Sequence, residues 1–140
     1  MGGVNRKDLQ SLARIRLAEA RTLLGAGHPD GAYYLAGYAI ECALKACIAR
    51  STLRHEFPDK KIVDASYTHD LEKLIKVANL EPARSQDGGR DAAFRNYWDL
   101  VVGWSEHSRY RRVDQETANA FVDAVGDRKR GVLAWIKRYW

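Results

Sequence analysis

The chain has little that could be oxidised, metallated or inserted into a membrane: two cysteines, one methionine, three prolines and four histidines in 140 residues. Cys42 and Cys47 stand five residues apart on one expected helix, so at about 100° per residue their side chains diverge by roughly 140° and cannot bridge each other. They read as small core residues in a reducing compartment. The histidines, at 28, 55, 69 and 107, show no H-x-x-x-H spacing and the cysteines no C-x-x-C spacing, so no metal site is expected. Gly25, Gly27 and Gly31 form G-x-G-x-x-x-G without the strand-turn-helix setting of a dinucleotide site, which leaves them a turn and leaves no cofactor to expect. No apolar run near the start resembles a secretion signal, and the most apolar helix carries Glu41 and Lys45, so no membrane contact is expected. A cytoplasmic protein is the simplest reading. Internal repeats, low-complexity segments and strand-like alternation are also missing.

What is present is an ordinary globular composition, 46% hydrophobic and 29% charged, sufficient for one domain spanning residues 1–140 with its own core. The net charge of +5 favours polyanionic partners, and the excess lies toward the two ends of the chain.

Residues 31–50, Gly-Ala-Tyr-Tyr-Leu-Ala-Gly-Tyr-Ala-Ile-Glu-Cys-Ala-Leu-Lys-Ala-Cys-Ile-Ala-Arg, form a helix pattern whose apolar positions wrap nearly the whole cylinder. Such a helix has to be enclosed on several sides. Before it, Leu9, Leu12, Ile15, Ala20, Leu23 and Leu24 recur at helical steps, which predicts a first helix over about 5–24. The short turn between them, with Pro29 opening the next helix and Asp30 accepting from its free amides, predicts an antiparallel helical hairpin. Residues 51–67 read as a long loop, 68–79 as a third helix, 81–89 as a connector, 90–104 as a fourth helix and 115–138 as a last one. The expected fold is all-α, an up-and-down bundle of four to five helices.

Three groups of residues could carry chemistry. His107-Ser-Arg-Tyr-Arg-Arg112 joins an imidazole, three guanidinium groups and an aromatic ring at a helix junction, a composition suited to phosphate and base contact. The structural alternative is a solvated basic loop whose arginines pair with Glu106, Asp114 and Glu116. Glu41 and Lys45, at i and i+4, are either a mutual ion pair or one wall of a cleft. His69 and Asp70 could make a polar contact that fixes the preceding loop. The tryptophans at 98, 104, 135 and 140, with Tyr33, Tyr34 and Tyr38, supply core area and surface for a subunit interface.

Ala20-x-x-Leu23-Leu24, the run from Asp30 through Glu41-Cys-Ala-Leu-Lys45-Ala46, and His69-Asp70-Leu71-x-x-Leu74 together resemble the HEPN family of small helical domains. The resemblance covers most of the chain. It implies a helical bundle that dimerises about a cleft, often alongside a minimal nucleotidyltransferase, with many members acting as metal-independent ribonucleases in toxin–antitoxin or defence systems. Ribonucleases of the family carry R-x4-6-H at the start of a late helix, where Arg holds the phosphate and His acts as general acid or base. Here the order is reversed, with His107 ahead of Arg109, Arg111 and Arg112. Formal matches occur only at Arg50 to His55 and Arg21 to His28, at the ends of earlier helices. The expectation is therefore a dimeric domain that binds RNA, a nucleotide or a protein partner, without turnover being required. Arg109, Tyr110, Arg111 and Arg112, with Glu41, Lys45, His69 and Asp70, are its candidate ligand-binding residues. The rival expectation is an endoribonuclease using His107 and Arg109, and a third is a non-catalytic subunit of a nucleotidyltransferase complex.

Overall fold

The computed structural model describes residues 4–53 and 60–140, and every regular element among them is helical: eight α-helices and one 3-10 helix. Asn5 starts α1 (Arg6–Gly25) through a reciprocal capping box, its side chain accepting from the Asp8 amide at 2.9 Å and the Asp8 carboxylate accepting from the Asn5 amide at 3.1 Å. Three residues later Pro29 opens α2 (Pro29–Leu53), whose first amides need no partner inside the helix. Asp30, expected to cap those amides, does something else: its Oδ1 accepts from the Val113 amide at 2.6 Å, tying the start of α2 to a segment 83 residues away.

Helix α2 is the axis of the molecule. Ala32, Ala36, Ala39, Ile40, Ala43, Leu44 and Ala46 are completely buried, and Ile48 nearly so. It is enclosed by α1 along its length and by α4, α7, α8 and the 3-10 helix elsewhere. Five alanines, at 32, 36, 39, 43 and 46, recur at three- and four-residue steps and let neighbouring backbones approach closely. Gly37 does this most sharply: a Cβ there would lie 2.2 Å from the Trp104 ring, so the indole rests flat on the helix only because no side chain intervenes.

Between 51 and 67, where a loop was expected, α2 continues to Leu53 and a short helix α3 (Lys60–Ala65) follows; His55, and with it the formal Arg50 to His55 motif, lies outside the described residues. The helix expected over 68–79 is shorter, α4 (Leu71–Val77), because Asp70 caps it by accepting from the amides of Glu72 and Lys73 at 2.9 and 3.2 Å.

The connector expected over 81–89 is in fact α5 (Glu81–Arg90). Its Ser, Asp and paired glycines are poor helix formers, and tertiary contacts override that preference. Arg84 donates to both oxygens of Glu81 and lies over the Trp98 ring, while Asp87 accepts from the Trp135 indole at 2.8 Å. The helix expected from residue 90 starts two residues later, as α6 (Ala92–Val102), with the Asp91 side chain accepting from the Phe94 amide.

After the 3-10 helix (Glu106–Tyr110), the single terminal helix expected over 115–138 is two, α7 (Gln115–Gly126) and α8 (Val132–Ile136). Apolar periodicity runs across the break, but Asp127 interrupts the backbone ladder by accepting from the amides of Lys129 and Arg130 at 3.2 and 2.8 Å. Gly131 closes the turn, since a Cβ there would fall 2.4 Å from the Asp127 carbonyl oxygen. The chain then folds back over α1, where Gln10 and Arg6 both donate to the Trp140 carbonyl and Arg14 lies over its ring.

Two measurements test this packing. Gly37→Ala drives a methyl group into Trp104 and should cost about 1–3 kcal/mol, read as a lower urea midpoint with an unchanged slope. Burial pushes the thiols of Cys42 and Cys47 up to about 11 and about 12, so at pH 8 both should resist iodoacetamide in the folded protein and label together once urea unfolds it.

Candidate functional site

Glu41 is the one carboxylate buried in the core of the described residues, with its side chain 3% exposed. A buried charge is costly unless partnered, and its two partners come from its own helix and from the residue just before α4. Lys45 Nζ, one turn along α2, lies 3.3 Å from Oε2. His69 Nδ1, just before α4, lies 2.9 Å from Oε1. The same imidazole turns its other nitrogen to Glu106 Oε2 at 3.4 Å, at the start of the 3-10 helix. Glu41, Lys45 and His69 are thus brought together, with Glu106 as a fourth member. Asp70 is not part of this cluster, because its carboxylate caps α4.

The imidazole links the buried helix to the segment that carries the basic residues. That segment is anchored at alternate points: Trp104, Ser108 and Val113 are buried, Ser108 Oγ donates to the Ser105 carbonyl at 2.6 Å, and Val113 is held by Asp30. Between these anchors His107, Arg109, Tyr110, Arg111 and Arg112 face solvent, Tyr110 at 77% exposure. The Arg109 guanidinium lies 4.8 Å from the centre of the Tyr110 ring. Arg111 is close enough to the Tyr33 hydroxyl to offset part of the rise that burial imposes on its pKa.

The structural alternative for this loop was pairing of its arginines with Glu106, Asp114 and Glu116. Glu106 instead faces His69, and Asp114 caps α7 by accepting from the Thr117 amide at 2.7 Å. Among the described residues, no carboxylate lies within ion-pair distance of Arg109, Arg111 or Arg112.

On the other side of α2, Lys45 and Glu41 border a groove of about 790 Å³ between α1, α2 and α3, lined chiefly by Leu9, Leu12, Tyr38 and Ile48. A second, smaller cavity of about 210 Å³ sits where the α5–α6 junction meets the α7–α8 turn, walled by Arg90, Lys129, Arg130 and Arg138. The basic excess toward the ends of the chain is visible in the sequence but this convergence is not, although the run Arg128-Lys129-Arg130 is a local sign of it. Among the described residues no group of three or more His, Cys, Asp or Glu side chains is gathered to hold a metal, and no helix is long and apolar enough to cross a membrane.

No family model, no curated protein and no solved structure matches the chain.

The cluster at Glu41 has a measurable consequence. Glu41→Ala leaves Lys45 and His69 facing a gap and should destabilise by about 1–3 kcal/mol in urea unfolding. The double substitution Glu41→Met with Lys45→Met removes both charges while keeping volume, and should recover most of that loss.

Proposed function

We propose that this chain is a HEPN-like helical bundle that works in the cytoplasm as a homodimer and binds single-stranded RNA or nucleotides through residues 107–112. The observation that carries the binding reading is the outward display of three arginines that have no carboxylate partner among the described residues, beside an exposed tyrosine ring. Guanidinium groups grip phosphate through paired hydrogen bonds and a tyrosine face stacks on a base, so the two together suit a nucleotide. The kinship is supported by the meeting of two motifs: Glu41 and His69, 28 residues apart in sequence, are hydrogen-bonded to each other. A nucleotidyltransferase is the protein partner that this kinship suggests.

In this reading Arg109, Arg111 and Arg112 hold phosphates, Tyr110 stacks, and the His69–Glu106 contact keeps the segment against the body of the domain. His107 lies exposed beside them, and among the described residues its imidazole has no hydrogen-bond partner. That placement favours one second reading, in which His107 shuttles a proton during RNA cleavage with Arg109 on the phosphate.

Fluorescence anisotropy with a labelled RNA oligonucleotide tests the first reading. Three phosphate contacts on a single strand give a log–log salt slope near −2, so affinity should fall about twentyfold between 50 and 200 mM salt. Substituting Arg109, Arg111 and Arg112 together by alanine should flatten that slope. An affinity that ignores salt, or survives the triple substitution, would overturn it. Cleavage of RNA by chelator-treated protein, lost on His107→Ala, would replace binding with catalysis.

A further inference from the structure

The cavity at the α5–α6 junction is built unlike the exposed segment. Its wall carries four cations, Arg90, Lys129, Arg130 and Arg138, against two carboxylates, Asp87 and Asp91. Both carboxylates are already engaged. Asp87 accepts from the Trp135 indole at 2.8 Å, and Asp91 accepts from the Phe94 amide at 3.1 Å and from Arg130 Nη1 at 3.0 Å. Those bonds, both to Oδ1, hold Asp91 below the usual carboxylate range, the Phe94 amide first and Arg130 after it, so it stays ionised. Among the described residues Arg90, Lys129 and Arg138 have no carboxylate within ion-pair distance. Three cations from three separate elements therefore line a concavity of about 210 Å³ whose own acids leave a surplus of two positive charges.

A surplus of two charges in a small, open cavity matches a phosphate monoester, which carries about −1.5 to −2 at neutral pH and three acceptor oxygens. A carboxylate or a phosphodiester, each with one charge, would leave the wall undercompensated. We propose that this cavity is a phosphate-binding site that takes a terminal phosphate monoester, with Arg90 and Arg138 as the guanidinium donors and Lys129 as the third cation. Arg130 remains bonded to Asp91 and shapes the wall. The site lies at the far end of the packed α6–α7 pair from residues 107–112. The eleven-residue α6, about 16 Å long, runs between them, on the order of five nucleotides at stacked spacing. The phosphate could come from the end of an RNA strand lying across both sites or from a free small phosphate; only the first source rests on the RNA-binding reading.

The Trp135 indole N–H, bonded to a cavity carboxylate, is a local reporter. Isotope-labelled protein is titrated with inorganic phosphate, with a 5′-phosphorylated RNA oligonucleotide and with the same oligonucleotide bearing a 5′-hydroxyl, while the Trp135 indole resonance is followed. The resonance should move saturably with the first two, and the hydroxyl form should bind roughly tenfold more weakly than the phosphorylated one. The combined substitution Arg90→Ala, Lys129→Ala and Arg138→Ala, which removes no hydrogen bond of the fold, should abolish the movement without lowering the melting temperature. A response to the phosphorylated RNA alone assigns the strand end as the source, and a response to inorganic phosphate alone assigns a free phosphate. If neither moves the resonance, or if the triple substitution leaves the movement intact, the site is refuted even when RNA still binds through Arg109, Arg111 and Arg112. If RNA binding fails while the phosphate response persists, the cavity stands and the reading of residues 107–112 falls.

Discussion

A single buried carboxylate on the most enclosed helix constrains much of what surrounds it. Helix α2 has apolar or small residues on nearly every face, so neighbours cover most of it, and Glu41 is carried inward with it. Water can no longer solvate that charge, and the protein supplies Lys45 and His69 instead. The requirement reaches beyond α2. It draws in the residue just before α4, and through the other imidazole nitrogen it reaches Glu106 and the 3-10 helix. A local electrostatic demand is thereby converted into long-range architecture.

The same economy of acids explains the electrostatic surface. Asp70, Asp91, Asp114 and Asp127 accept from backbone amides at helix starts or turns, and Asp30 holds Val113. Of these only Asp91 also pairs with an arginine among the described residues, Arg130 at 3.0 Å, so most of the backbone-bonded carboxylates leave the cations nearby unneutralised. The net charge of +5 is thus distributed unevenly: these acids are bonded within the fold, and the arginines at 109, 111 and 112 and around the α5–α6 cavity are left facing solvent. Modest overall basicity becomes two local concentrations of positive charge, which is the condition for gripping phosphate.

The aromatic side chains divide the same way. Trp98, Trp104, Trp135 and Trp140 are all buried, and Tyr33 packs on Phe121 with ring centres 4.1 Å apart. Trp104 sits so tightly on Gly37 that its indole N–H, among the described residues, finds no acceptor. Close packing of α2 is favoured there at the expense of one unmade hydrogen bond. Tyr110, two residues past the buried Ser108, points the other way into solvent.

Much of the fold was legible because long helices announce themselves by periodicity. The enclosure of residues 31–50, the start of α1 at Asn5 and the all-helical class follow from where apolar side chains recur. Elements that depend on distant partners were not legible. The segment 81–89 looks like a connector because serine and glycine disfavour helix, and contacts with Trp98 on the next helix and Trp135 on the last one help to hold it in one. Residues 115–138 look continuous because their apolar repeat is continuous, yet the Asp127 side chain competes for the amides that would carry the helix on. For the candidate site the division is similar. Composition marked 107–112 as chemically dense, and helical spacing and position marked Glu41, Lys45 and His69 as noteworthy. Their meeting, the diversion of Glu106 away from the arginines, and the gathering of Arg90 with Lys129 and Arg138 were decided by tertiary structure, because a side chain's partner depends on which elements pack together and no local pattern encodes that.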